Sequence, residues 1–570
     1  MSRHLVSESS FVFKEVQRSN IVKDALSKKD VVKASRKYRS IIHATTSKLD
    51  VNNFLEEKLS YNQIEIIWHL CEILFIDLHQ TGILLTQLLA WIRWHHPEVN
   101  QKTEVILNCS SPHAHEDYWD LVSSFILRGE TENALNLLKL HPSANKGEFI
   151  VVCDLLQKMP VFSSNQALYE YDLRWQAWSS ECRQHFEAFE DSEHLHHILG
   201  ILAGDVPTFK HVLHLTDSWY HLMISLLLYT DPAIKEIDIS VFSKQCVDIY
   251  LKHDPTKELT PFDNILIAAF NYDLMQVIIE ASSSIKDNWW FVTHFVDLLY
   301  NGNLLDFYEI VDSHKLRESL ILDYANSLMS HPSLWQIAID YLEACPLLGR
   351  QHIELVLERI PFDDERKALK LVNAAEKRGL NDVGKSIYKV IARRWLSRDR
   401  LGSALIWAVR SEDPALINYL AELYLKQYVE KQQFIDEDVL VNLGPSMLTS
   451  DRLIFLGKYC EFYQLRKQRL LPEAGAVLVS LLSSKISPKF FIPTLLTDSI
   501  VLLEAERQVL NSDQSFQILE ALDDFCVSVT TEAHSSQTDT EMMSDAFKGK
   551  EQILRLALSR NIARSSISLK

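Results

Sequence analysis

One string in this 570-residue chain matches a phosphate-binding loop letter for letter: Gly379-Leu380-Asn381-Asp382-Val383-Gly384-Lys385-Ser386 fits GxxxxGK[ST]. In such a loop, backbone N–H groups and the lysine cradle nucleotide phosphates. That chemistry needs a buried strand ahead of the first glycine. Residues 367–378 instead interleave Leu369, Leu371, Val372 and Ala375 with Lys367, Lys370, Glu376, Lys377 and Arg378, the pattern of an amphipathic helix. Gly379 is then expected to cap that helix, and Asn381 or Asp382 to start the next one through Ile387, Val390 and Ile391. The sequence also offers no apolar strand ending in an acidic residue to hold magnesium. A P-loop NTPase is therefore the weaker reading, and a helix-turn-helix the stronger.

Histidines cluster at His194-Leu195-His196-His197 and again at His211 and His214. Imidazoles close in sequence can bind zinc, but positions i, i+2 and i+3 of a helix do not converge on one tetrahedral centre, and no cysteine stands at a zinc-finger spacing. They read as surface or packing residues, and His113-Ala114-His115 beside Pro112 as a loop. Among the twelve tryptophans, Trp175 and Trp178 lie three apart on one helical face, and with the adjacent Trp289-Trp290 they read as core. HExxH, GxSxG, GxGxxG and kinase-type sets are all missing. No catalytic, cofactor or metal site is assigned.

The elements that carry these residues are helices. Glycine is only 14 of 570 residues, well under the usual ~7%, so few positions can supply the positive-φ turns of tight hairpins and dinucleotide loops. None of the 16 prolines precedes Pro97, and the rest fall mostly between apolar stretches. From about residue 36 onward apolar residues recur at three and four, as in Ile67, Leu70, Cys71, Leu74 and Leu78, and alternation long enough for a sheet is absent. Start signals agree: Ser60 to Gln63 has the form of a capping box, Thr260-Pro261-Phe262-Asp263 sets a cap, an N1 proline and an N3 carboxylate in order, and Ser487-Pro488 repeats the device. Segments 119–127 and 134–138 flank Arg128-Gly129-Glu130, while 401–409 and 416–424 flank Pro414. Connections this short make neighbouring helices antiparallel. Hairpins that cannot bury both faces alone stack, which predicts an all-α, irregular α-solenoid without a fixed repeat period.

Eight cysteines lie far apart with no CxxC pair, and Met1-Ser2-Arg3-His4 opens no secretory segment, which reads as a reducing compartment. No run approaches the roughly 18 uncharged residues of a membrane span. The formal net charge is −18, yet residues 1–40 hold ten Lys/Arg against four Asp/Glu, so this arm is +6 and the remainder −24. An acidic body is a poor partner for phosphate backbones, so no direct nucleic acid is expected. The basic arm, with Lys28, Lys29, Lys33, Arg36, Lys37 and Arg39, is either a solvated helix face or a dock for an acidic surface. Residues 1–13 are polar apart from the strand-like Phe11-Val12-Phe13, and residues 529–550, rich in Ser, Thr, Asp and Glu, are expected to be a disordered loop.

Several strings resemble the nucleoporin-85 family of the Y-shaped nuclear pore coat. They include Lys37-Tyr38-Arg39-Ser40-Ile41-Ile42, Ile67-Trp68-His69-Leu70-Cys71-Glu72, Phe262-Asp263-Asn264-Ile265-Leu266, Asn288-Trp289-Trp290-Phe291-Val292, His331-Pro332-Ser333-Leu334-Trp335-Gln336, Glu358-Arg359-Ile360-Pro361, Arg400-Leu401-Gly402-Ser403-Ala404-Leu405 and Ser450-Asp451-Arg452-Leu453. They run in family order from about residue 31 to the end of the chain. The resemblance implies a solenoid folding back on itself as crown, trunk and tail, a structural scaffold rather than an enzyme, and residence at the nuclear pore in support of mRNA export and protein transport. It divides the chain into a basic arm at 1–35, a folded-back solenoid at 36–380 and a helical tail at 381–570. A vesicle-coat solenoid is the alternative of the same class.

Members of that family usually donate N-terminal strands to a WD-repeat propeller partner. Here only Phe11, Val12 and Phe13 could do so, which means that the chain begins late or that its propeller contact has changed. The tail of the family docks at the hub of the Y. Residues 551–567 resume helical patterning with Ile553, Leu554, Leu556, Ala557, Leu558, Ile562 and Ala563, an apolar surface broader than the ~100° stripe of a helix that only covers its own domain. Ile553, Leu554, Leu556, Leu558 and Ile562 are accordingly expected to meet both the preceding hairpin and a hub nucleoporin.

Overall fold

The computed structural model describes residues 2–23, 26–49, 55–77, 83–109, 111–163, 167–188, 192–216, 218–253, 258–284, 289–308, 312–484, 486–532 and 539–568. Every regular element among them is helical, and successive helices pack on one another as hairpins. The chain is thus an irregular α-solenoid. It divides into two compact units, Met1–Arg350 and Gln351–Lys570. A division at 380/381, as expected from the sequence, would cut the packed pair Glu365–Glu376 and Asn381–Leu396.

Local chemistry sets most helix ends. Thr260 caps Pro261–Phe270 with a full capping box: its hydroxyl accepts from the Asp263 backbone N–H, and the Asp263 carboxylate accepts from the Thr260 N–H at 2.9 Å. Such a cap contributes about 1 kcal/mol. The side chains of Asp205, Ser450 and Asp413 accept first-turn backbone N–H groups of Val206–His211, Asp451–Lys467 and Pro414–Lys431. The hairpin Tyr118–Leu127 with Thr131–Lys139 turns at Gly129, whose φ is +66°. Leu401–Ser411 and Pro414–Lys431 form the second expected hairpin. Two start signals fall elsewhere. Ser60 sits inside Leu55–Cys71, because Glu56 and Glu57 already supply first-turn carboxylates. Pro488 caps a 3₁₀ turn, Lys489–Phe491, that leads into Ile492–Leu503.

In the first unit the chain returns on itself. Helices Arg3–Lys23 and Lys28–Lys48 pack against Trp290–Asn301, and Leu55–Cys71 packs against Pro261–Phe270. An aromatic cluster joins them: Trp68 stands 5.4 Å from both Tyr38 and Trp290, and Phe13 lies 4.2 Å from Tyr341, all buried. Each such ring removes roughly 150–250 Å² from water, which makes this cluster a main source of the unit's cohesion. Below it, Arg317 donates to Asp297 at 2.6 Å and to the Gln17 amide oxygen at 3.0 Å, and Gln17 donates to Asp297 at 2.8 Å. Burial raises the Asp297 pKa, and the Arg317 guanidinium opposes that rise.

Residues 1–35 are therefore no free arm in their described part. Leu5, Val6, Ser9, Val12, Phe13 and Val16 are interior, spaced three and four apart on one helical face, which is the reason this segment packs.

The second unit repeats the hairpin scheme through Asp451–Lys467 with Leu471–Ser483 and Ser512–Glu532 with Asp539–Ser568. Its interior polar anchor is Asp498, which accepts from the Tyr459 hydroxyl at 2.5 Å and from Arg466 at 2.7 Å. Of the stretch 529–550 expected as a loop, 529–532 and 539–550 are helical, since Glu, Met and Lys are good helix formers even where few apolar groups are available. Residues 533–538 lie outside the described residues.

Candidate partner-binding surfaces

The phosphate-loop look-alike is a helix-turn-helix. Helix Glu365–Glu376 ends in a Schellman-type cap in which the Leu380 N–H donates to the Ala375 carbonyl at 3.0 Å and Gly379 takes φ +70°. Helix Asn381–Leu396 starts at once, so Gly384 and Lys385 lie in its first turns and not in a loop. The Lys385 ammonium donates to Glu412 at 2.7 Å, and that carboxylate holds the lysine pKa above its ordinary value. The backbone N–H groups a phosphate would need are turned into helix.

The histidines of Glu193–Ala203 point to separate neighbours. His194 stacks on Trp119 at 4.8 Å, His196 on Phe186 at 4.5 Å and His197 on His211 at 6.1 Å, while His214 faces Asp120 at 3.6 Å. Among the described residues no group of three or more His, Cys, Asp or Glu is arranged around a common point. Trp175 and Trp178 are buried with ring centres 4.8 Å apart, and the Trp178 indole donates to the Leu155 carbonyl at 2.8 Å. They are core.

The two candidate contact segments fare differently. Phe11-Val12-Phe13 is helical, not strand-like: Val12 and Phe13 face the interior, and only Phe11, 63% exposed, faces solvent. Helix Asp539–Ser568 splits its apolar residues between two sides. Leu554, Ala557 and Leu558 are buried where this helix packs on Ser512–Glu532 and Ile492–Leu503, and Asn561 donates to the Leu510 carbonyl at 3.2 Å and to Ser515 Oγ at 3.0 Å. Ile553 and Leu556, each 54% exposed, lie three apart on the other side. Ile562 is half-buried. Packing on one face leaves Ile553 and Leu556 together on an exposed second side of the helix.

Sequence reading missed two features of the first unit. Tyr169 and Leu173 on Leu168–Ala188, and Ile237 and Val241 on Glu236–His253, are exposed apolar side chains that lie off the buried faces of their helices; their departure from the 3.6-residue stripe was the available signal. His221 is deeply buried, and His69, His95 and His96 are half-buried. His69 Nδ1 meets His95 Nε2 at 3.1 Å, and His221 stacks on His96, with neither ring nitrogen of His221 finding a hydrogen-bond partner among the described residues. Burial pulls the pKa of His69 to about 3, of His95 to about 2 and of His221 to about 3. Nothing in the sequence near these positions announces it, because the burying residues come from distant helices.

Comparison with known proteins agrees with this architecture. The family model for the Nup85 nucleoporins matches residues 1–524. The chain is similar to the human nuclear pore complex protein Nup85, 36% identical over 586 residues that cover 99% of this chain and 88% of the relative. It is 38% identical to Nup85 of Danio rerio over 589 residues, 99% and 89% of the two chains. Against the nuclear pore complex protein Nup75 of Drosophila melanogaster it is 30% identical over 592 residues, 99% and 88% of the two chains.

Proposed function

Because the chain belongs to the Nup85 nucleoporin family, a family of structural nuclear pore components rather than enzymes, we propose that it is a scaffold of the Y-shaped pore coat. In this reading it holds other nucleoporins in place, hub subunits and a WD-repeat propeller among them, and thereby supports mRNA export and protein transport. The observation that carries the reading is the divided C-terminal helix. Its Leu554 and Leu558 side close the chain's own second unit, while Ile553 and Leu556 stay open to solvent. Two exposed branched side chains on one stripe favour association over solvation. The propeller contact draws less support from the N-terminal helix, where Phe11 is the one residue of its triad that faces solvent.

Affinity isolation of the full chain tests the assignment. Hub and propeller nucleoporins should co-purify in fixed ratio, and the tagged chain should mark the nuclear rim. Enrichment at endoplasmic-reticulum exit sites together with vesicle-coat subunits would assign it to the other class of coat.

A further inference from the structure

A surface groove of about 720 Å³ lies in the first unit. Helix Lys28–Lys48 forms one wall. Its first turns are anchored where the Leu26 N–H donates to the Asn301 carbonyl at 3.0 Å, and Gly302 stands so close that a Cβ there would meet Val31 Cγ2 at 2.9 Å. The opposite wall begins at the π-helical turn Glu72–Ile76, where the Asp77 N–H donates to the Glu72 carbonyl at 2.8 Å. That i→i+5 turn brings Ile76 and Asp77 onto the groove.

The charge of this groove opposes that of the whole chain. Lys28, Lys29, Lys33, Arg36 and Lys37 line it, with Asp77 as the one carboxylate among the lining residues, in a protein of net charge −18. Asp77 is already matched to Arg36 at 3.3 Å, and Lys37 donates to Glu15 at 2.5 Å. Lys29 and Lys33 are exposed and have no ion pair among the described residues. The floor between the charges is apolar, made by Val31, Val32, Ile76 and Leu304.

We propose that this groove receives an acidic amphipathic helix of a partner polypeptide. Lys29 and Lys33, the two lysines without an ion pair among the described residues, stand one four-residue step apart, which sets their Cα atoms about 6 Å apart along the helix axis. Carboxylates three or four residues apart on a second helix stand at the same interval, so a pair of them matches Lys29 and Lys33 over one turn. The apolar floor takes the remaining face of such a helix, as a groove that binds an amphipathic helix does. A compact polyphosphate would satisfy one or two lysines and leave the floor unused. The complementary charges act mainly on association rate and specificity, and they weaken with salt.

The test uses assemblies isolated through the full chain and treated with a carbodiimide, which joins lysine amines to carboxylates that touch them. Lys29 and Lys33 should link to Asp or Glu residues three or four apart in another polypeptide. In the double variant Lys29→Glu/Lys33→Glu the retained amount of that polypeptide should fall at least about tenfold, and Lys29→Arg/Lys33→Arg should keep it. Both lysines are exposed, so circular dichroism and melting should match the unsubstituted chain and exclude misfolding as the cause. Equal acetylation of the two lysines in the free chain and in the assembly would overturn the proposal. Links confined to this chain's own carboxylates would overturn it as well. A polyphosphate that co-purifies, and is lost with the glutamate variant, would make the groove a small-anion site instead.

Discussion

The indole N–H of Trp290 donates to the hydroxyl of Ser9 at 2.8 Å, across 281 residues of sequence and in the interior of the first unit. This bond and the Phe13 ring against Tyr341 make the first helix part of the core that the later helices complete.

Phe13→Ala should therefore cost the first unit about 3–5 kcal/mol, and Ser9→Ala about 1–3 kcal/mol, since the latter leaves a buried indole N–H unpaired. A chain of two units has no single unfolding free energy, so the readout is hydrogen exchange at the amides of Trp290–Asn301. Both variants should speed exchange there and leave Asp451–Lys467 unchanged. Equal protection in all three proteins would show the first helix to be a dispensable arm.

Buried histidines make the first unit sensitive to acid. His294 donates from Nδ1 to the Trp290 carbonyl at 2.6 Å and accepts at Nε2 from the Tyr341 hydroxyl at 2.7 Å, which fits a neutral ring, and burial pulls its pKa to about 3. His69, His95 and His221 are depressed for the same reason. An unfolded chain takes up these protons near pH 6.5 and the folded one only near pH 2–3. Stability is then complete above about pH 6.5 and is lost as pH falls, by about 1.4 kcal/mol per imidazole at pH 5.5. The denaturation midpoint of the first unit should drop between pH 7.5 and 5.5, and His221→Leu, which removes a ring with no hydrogen-bond partner among the described residues, should flatten the drop. An unchanged pH profile in His221→Leu would contradict the assignment.

Lys385 is a helix residue paired with Glu412. Lys385→Ala should leave the melting temperature essentially unchanged, as the loss of an exposed ion pair does. Isothermal titration with ATP or GTP should give no heat in either protein; nucleotide binding abolished by the substitution would restore the phosphate-loop reading.

The fold class and several helix ends were legible because they rest on local chemistry. The three-and-four spacing, the Thr260 to Asp263 box and the Gly379 stop each act within a few residues. The first helix was legible in principle, through Leu5, Val12, Phe13 and Val16, but two serines inside its buried face, Ser9 and Ser10, mask the apolar stripe. Ser9 is tolerated there because it meets Trp290, a partner that no window of neighbouring sequence contains. The same holds for Gln17 with Asp297 and Arg317. The broad apolar surface of the last helix was visible in sequence, whereas its division into a Leu554 and Leu558 side and an Ile553 and Leu556 side required the packing of Ser512–Glu532.

That division provides the most direct test of the scaffold account. Ile553→Asp/Leu556→Asp changes two exposed side chains and leaves Leu554, Ala557, Leu558 and Asn561 in place. The variant should keep the melting behaviour of the parent chain. If these residues sit at the centre of the docking surface, retention of hub nucleoporins by the tagged full chain should fall roughly tenfold or more, equivalent to about 1.4 kcal/mol or more. Full retention of the hub nucleoporins by a stably folded double variant would contradict the account.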